Sequence, residues 1–198
     1  MTKLDLPFYN RHVVTVARDL VGCYLVHEIP VGRIIGRINE VEAYDGETDK
    51  ACHAWGDRRT PRNEPLYRAG GITHVYMVYG MHYCFNIVTG QEDKAAAVLV
   101  RGVEVVSGIE LAAERRYGLP AGAMTRAQIK NLSNGPGKLC QAMAIDKSFD
   151  YLPLTGEQIY VCDKIEHFEK NVPEIISSKR IGIGYAEEAA DFPWRFTG

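Results

Sequence analysis

Residues 72–89 read ITHVYMVYGMHYCFNIVT, a run dominated by β-branched and aromatic side chains and broken once, at Tyr79-Gly80. Such residues favour strands, and glycine supplies the positive φ that a tight turn needs. The stretch therefore predicts two antiparallel strands with Tyr79-Gly80 at their tip. Residues 95–106, AAAVLVRGVEVV, have the same character apart from Arg101. Residues 32–44, GRIIGRINEVEAY, follow a turn at Pro30 and form a hairpin with a strand over 23–27. A late strand is expected over 154–162. Helical spacing marks 10–22, where Val13, Val14, Ala17, Leu20 and Val21 recur on one face and Gly22 ends the pattern. Two more helices are expected, over 108–117 and after NGPGK. The latter has Ser133 or Asn134 as N-cap, Pro136 in its first turn and its end at Ile145. These elements predict an α+β fold over residues 1–198. It is a single domain whose curved, mainly antiparallel sheet approaches an open barrel, with helices packed around it.

Glutamate is disfavoured in strands, yet Glu40 and Glu42 stand inside the 32–44 strand. Strict alternation puts both on the face of Ile34 and Ile38, together with Tyr44. One reading makes Glu42 an edge acid paired to an arginine; the other makes it a general base in a partly desolvated pocket. Arg101 sits in an apolar run, and a buried arginine needs a partner. Glu40 and Glu42 are the candidates. Tyr44, His53 and Tyr76 are flat polar rings near strand ends or loops. They are core residues, or they sandwich a planar ligand such as a nucleobase. Tyr79 has the opposite parity to Tyr76 and abuts the turn glycine. It folds back on the hairpin or stands out as a wedge for a base stack. The long loop over 45–71 carries Arg58, Arg59, Arg62 and Arg68. With Lys138 these are candidate phosphate contacts, or solvated charge. NGPGK lacks the spacing and the hydroxyl residue of a P-loop.

With 46% hydrophobic and 24% charged residues the chain is ordinary globular material. Its formal net charge of −2 argues against a broadly basic nucleic-acid-binding surface. Any DNA contact must be local, with the arginine loop facing DNA and Glu166, Glu169, Glu187 and Glu188 facing away. The five cysteines include no C-x-x-C pair, which predicts reduced thiols. Cys52-His53 has no second metal-like pair, so neither metal nor cofactor is expected. Nothing reads as a signal core or a membrane span. The expectation is a soluble cytoplasmic protein, nucleoid-associated in a prokaryote and nuclear in a eukaryote.

Five blocks occur together: GRINEVEAYDG, then ACHAW with TPRN, then VYMVYGMHYCFNIVT, then AVLVRGVE, and finally NGPGKLCQAMAIDKSFDY. In this order and spacing the chain resembles the alkyladenine (3-methyladenine, or methylpurine) DNA glycosylases from about residue 6 to 196. The resemblance implies base excision from double-stranded DNA containing damaged purines. Glu42 matches the general base that deprotonates the water attacking C1′, and Arg101 the arginine that helps place water and carboxylate. Tyr44, His53 and Tyr76 match the stacking walls, and the backbone of Ala51 and His53 the reader of the base edge. Tyr79 matches the intercalating wedge. Asn86 matches the pocket-floor asparagine that crowds the exocyclic amine of guanine. Glu40 is left a structural role. No lysine occupies a matched site position, which implies a monofunctional enzyme leaving an abasic site. The chain departs from the family at Leu66-Tyr67, where Met-Phe is common, and at Ala69-Gly70-Gly71, where Pro-Gly is common. Two other readings stay open: a catalytically silent module that senses modified bases, and a hydrolase of free nucleosides. A monomer is expected.

Overall fold

The computed structural model describes residues 1–165 and 174–198; Glu166 and Glu169 lie outside the described residues. The chain opens with β1 (Thr2–Lys3), α1 (Leu6–Tyr9) and α2 (Val13–Leu20), followed by the hairpin of β2 (Tyr24–Ile29) and β3 (Gly32–Asp45). A turn-rich loop with one 3₁₀ turn, Glu64–Tyr67, leads to β4 (Thr73–Val78) and β5 (His82–Val88). Then come β6 (Ala96–Ser107), α3 (Ile109–Tyr117), α4 (Arg126–Lys130) and α5 (Pro136–Met143). Strands β7 (Ile159–Lys164), β8 (Ile176–Ser178) and β9 (Arg195–Thr197) complete the order.

Among the described residues, the strands pair antiparallel along an open path β1-β7-β2-β3-β6-β5-β4, and β9 bridges β8 to β3. The α+β class is as expected, and the sheet does not close into a barrel. Helix α2 presents Val13, Val16, Ala17 and Leu20 to the sheet, and α5 presents Leu139, Cys140 and Met143. These join Ile34, Ile38, Val41, Ala43, Val98, Val100 and Phe85 in the main apolar cluster.

Three expectations need correction. Alternation along β3 is not strict. The β3–β6 register shifts between Ile38 and Val41, so Ile34, Ile38, Val41 and Ala43 all face the main cluster. Glu42 and Tyr44 are thereby turned to the opposite face from Ile34 and Ile38. Gly102 permits this: a Cβ there would meet Asn39 Oδ1 at 2.7 Å and Glu40 Cβ at 3.3 Å. Second, α5 is capped by neither Ser133 nor Asn134. Its N-cap is Gly135, with φ of 116°, and the helix ends at Met143 with Ala144 in the left-handed region. Asn134 bridges instead to Gly102 in β6, while the Ser133 hydroxyl donates to Val103 O. Third, the late strand begins at Ile159 rather than 154. Helix α4 was not anticipated, although its capping box of Thr125 and Gln128 is visible as T-x-x-Q.

Candidate active site

Beneath the β4–β5 hairpin lies a cavity of about 320 Å³. Its walls come from the end of β3, the first half of β6, the β4–β5 hairpin, the 51–53 loop and a strap over 181–185, with Leu66 and Pro136 completing them. Tyr44, Ala51, His53, Tyr76, Tyr79, Asn86 and Arg101 all line it. Residues far apart in sequence are brought together because β5 and β6 pair through Asn86↔Leu99, and β3 and β6 through Glu42↔Leu99 and Tyr44↔Ala97.

Glu42 has no exposed surface and is not itself part of the cavity lining. Its three hydrogen-bond donors among the described residues are. Tyr44 OH donates to Oε2 at 2.8 Å, Arg101 Nη1 to Oε2 at 3.4 Å, and the Ile181 backbone N–H to Oε1 at 2.7 Å. The carboxylate therefore sits one side-chain layer behind the wall, held by charge-assisted bonds that offset its desolvation. Arg101 also donates from Nε to Glu40 Oε1 at 2.9 Å, and Arg195 Nε reaches the same oxygen at 2.7 Å. Burial works against the Glu40 charge, but the hydrogen bonds from Arg195 and Arg101 prevail and hold its pKa below the usual carboxylate range. Burial likewise opposes the Arg101 charge; Glu42 and Glu40 outweigh it and raise the Arg101 pKa. Burial, with the Glu42 charge behind it, pushes the Tyr44 phenol up, so Tyr44 stays a donor.

The rings form a partial box. His53 and Tyr76 have centroids 5.2 Å apart at 63°, and His74 lies 5.2 Å from Tyr76 at 33°. The His53 ring stands exposed at the cavity edge; partial desolvation, then the Arg62 and Arg58 charges, lower its pKa from the ordinary value. Asn86 is buried on the floor, its amide donating to His74 O at 3.0 Å and Cys84 O at 3.4 Å. The Ala51 N–H already donates to Asp49 Oδ1 at 2.9 Å.

Tyr79 stands out rather than folding back: it is 90% exposed. Its φ of 52° and that of Gly80, 68°, give the tip two left-handed residues, and Met81 N–H closes the turn on Val78 O at 3.2 Å. That is the hairpin turn matching strand twist, but a bulky residue in the first central position is strained. Exposed Met77, Met81, Ile181 and Tyr185 surround the tip and the cavity mouth.

The candidate phosphate contacts fare unequally. Arg59 is committed to Glu64 and Asp93 and lies over the Tyr67 ring, and Arg68 faces Glu64 and Glu92. Lys138 donates to Asn131 and Asn134. Arg62 is at the hairpin, 5.4 Å over the Tyr76 ring and bonded to Met77 O. Arg58 is exposed. Glu187 and Glu188 are exposed and hold Lys50, which precedes the cavity-lining 51–53 loop.

At the first departure from the family pattern, Leu66 lines the cavity while Tyr67 lines a different, larger cleft of about 740 Å³. That cleft is edged by Asp45, Glu47, Asp57 and Asp93, and contains neither Arg101 nor the ring box. Size alone does not mark the site; convergent polar groups do. Sequence reading missed His74, Cys84, Leu99 and the 181–185 strap. His74 shares strand parity with Tyr76, and Cys84 with Asn86, so both were legible. Nothing in IGIGY announces a cavity wall. Among the described residues, no group of three or more His, Cys, Asp or Glu is placed to hold a metal ion, and no helix is long and apolar enough to cross a membrane.

A sequence model of the methylpurine-DNA glycosylase family matches residues 7–198. Several curated bacterial proteins are similar over nearly their whole length, each named "Putative 3-methyladenine DNA glycosylase". That of Desulfitobacterium hafniense is 47% identical over 99% of this chain and 95% of its own. Those of Clostridium acetobutylicum and Alkaliphilus oremlandii are each 46% identical over 98% of this chain, covering 93% and 94% of theirs. The five sequence blocks, the acid-backed ring box and this full-length match agree: the chain belongs to the methylpurine-DNA glycosylase family.

Proposed function

We propose that this protein is a monofunctional DNA glycosylase acting on alkylated or deaminated purines in duplex DNA. The purine is flipped into the cavity between the rings of Tyr44, His53 and Tyr76. Tyr79 fills the gap it leaves. Water activated by Glu42 hydrolyses the N-glycosidic bond and leaves an abasic site. The observation that carries this reading is a carboxylate whose every donor among the described residues is a cavity-wall group: Tyr44, Arg101 and Ile181. A carboxylate offers about four lone-pair sites. Three donors leave one for a water, which reaches the buried carboxylate when the wall groups part.

The step balances as follows. The water oxygen bonds to C1′ while the bond from C1′ to the purine nitrogen breaks, its electron pair leaving with the base. Glu42 takes the water proton. An N3- or N7-alkylated purine is cationic and departs neutral. Negative charge near an oxocarbenium-like sugar stabilises that transition state, and Arg101 keeps the carboxylate aimed. Damaged purines stack and pair poorly, which lowers the energy of flipping them. Asn86 narrows the floor against the guanine amine. Ala51 contributes its carbonyl to edge reading, since its N–H is occupied. Arg58 and Arg62 are the first phosphate contacts, with Arg59, Arg68 and Lys138 joining if DNA displaces their present partners. We read the chain as a cytoplasmic monomer, one site to one lesion.

The test is base release from duplexes carrying 3-methyladenine, 7-methylguanine, hypoxanthine or ethenoadenine, against free nucleosides. At least one duplex should lose its base, with strand breakage only after alkali. Binding without release from any duplex would favour the silent sensor instead. Cleavage of free nucleoside, undiminished in Tyr79→Ala, would favour the nucleoside hydrolase.

A further inference from the structure

The group that fixes Glu42 from the strap side is the Ile181 N–H, and the residue before it is Arg180. Arg180 is buried with Asp49, and neither side chain has exposed surface. Its Nη2 donates to Asp49 Oδ1 at 2.7 Å and to Ala189 O at 3.0 Å; its Nη1 donates to Asp49 Oδ2 and to Ala43 O at 2.7 Å. The guanidinium lies 4.7 Å over the Tyr44 ring and 5.3 Å over Trp194. Asp49 Oδ1 also accepts the Ala51 N–H. One ion pair thus touches three parts of the cavity: the ring that donates to Glu42, the 51–53 wall, and the strap whose N–H holds the other carboxylate oxygen.

We propose that Asp49 and Arg180 are positioning residues for hydrolysis. By locking the strap against β3 and against the Tyr44 ring, they set two of the three donors that orient Glu42. The proposal rests on the glycosylase reading above. A buried pair satisfied only for stability can be replaced by apolar residues of similar shape with little loss, whereas removing one partner strands a charge. The positioning role predicts a different pattern, because apolar replacements leave the fold intact but let the strap and Tyr44 drift. A misplacement of about 1 Å in a catalytic constellation slows chemistry by about 100-fold.

The experiment compares wild type, the double variant Asp49→Leu/Arg180→Met, and Arg180→Lys, which keeps the charge but not the planar fork. Single-turnover base release is measured against enzyme concentration on one lesion duplex, beside the thermal midpoint. The expected result is a maximal rate about 10- to 100-fold lower in the double variant. The half-saturating concentration should stay within about threefold, and Arg180→Lys should fall between the two. A wild-type maximal rate in a folded double variant overturns the proposal. Should that variant not fold, a wild-type rate in Arg180→Lys does the same, and a slowed one with unchanged half-saturation supports it. If wild type itself releases no base from any lesion, the glycosylase reading fails; if wild type is active and the variants equal it, only the positioning role fails.

Discussion

On one face of the paired strands β3 and β6, Val41, Ala43, Val98 and Val100 pack into the main apolar cluster. On the other face of the same strands, Tyr44, Ala97, Leu99 and Arg101 border the cavity, with Glu42 just behind them. The apolar face contributes stability through area removed from water, about 25 cal/mol per Å². The cavity face spends part of it, because a buried carboxylate and guanidinium recover their lost hydration only through good pairing. The contrast teaches that stability and chemistry are separable here at the level of alternate residues on one ribbon. Substitutions on one face should change what the other does not.

The largest break on the apolar face is Ile38→Ala. It should lower unfolding free energy by about 2–5 kcal/mol, the range for deleting a buried aliphatic side chain. Urea unfolding measures this. Base release per folded molecule should stay near wild type, and a loss of rate beyond the loss of folded protein would show that the two faces are coupled.

A smaller effect is expected at the cavity mouth. Tyr79→Gly relieves a left-handed φ at a fully projecting residue. It should raise stability by about 1 kcal/mol while slowing release from duplex more than from single-stranded lesion DNA. A destabilised Tyr79→Gly would mean that the ring supports the hairpin.

The smallest effect is the acid dependence of stability. Burial holds the pKa values of His27 and His74 below the ordinary 6.5, against the bond to Met143 O in one case and Asp150 in the other. The unfolded chain takes up these protons at higher pH than the folded one does. Stability from both groups is therefore full above about 6.5 and falls as pH drops below it. Thermal midpoints from pH 8 to 5 should show this decline, with a shallower slope in His74→Phe. A flat profile would contradict the lowered pKa values of both rings.

Much of this was legible because short-range signals carried it. The Tyr79-Gly80 break fixed the hairpin, and Arg101 in an apolar run demanded acids, which Glu40 and Glu42 supply. The inward direction of Glu42 was inferred from parity with Ile38, and that reasoning fails. A register irregularity between Ile38 and Val41 reverses the face, and the close approach at Gly102 accommodates it. The strap was illegible for a different reason. Arg180 meets Asp49 across 131 positions, a pairing that no local pattern encodes. The N-cap of α5 was misread because Ser133 and Asn134 spend their polar groups on β6 and on Lys138 rather than on the helix end.

The most direct measurement is single-turnover base release by Glu42→Gln beside wild type, with duplex binding measured on the same lesion. Removing the group that accepts the water proton should slow release by about 10²–10⁴-fold while leaving lesion affinity within a few-fold. Release at the wild-type rate by a folded Glu42→Gln protein would contradict the account, since the carboxylate behind the ring box would then have no part in the chemistry.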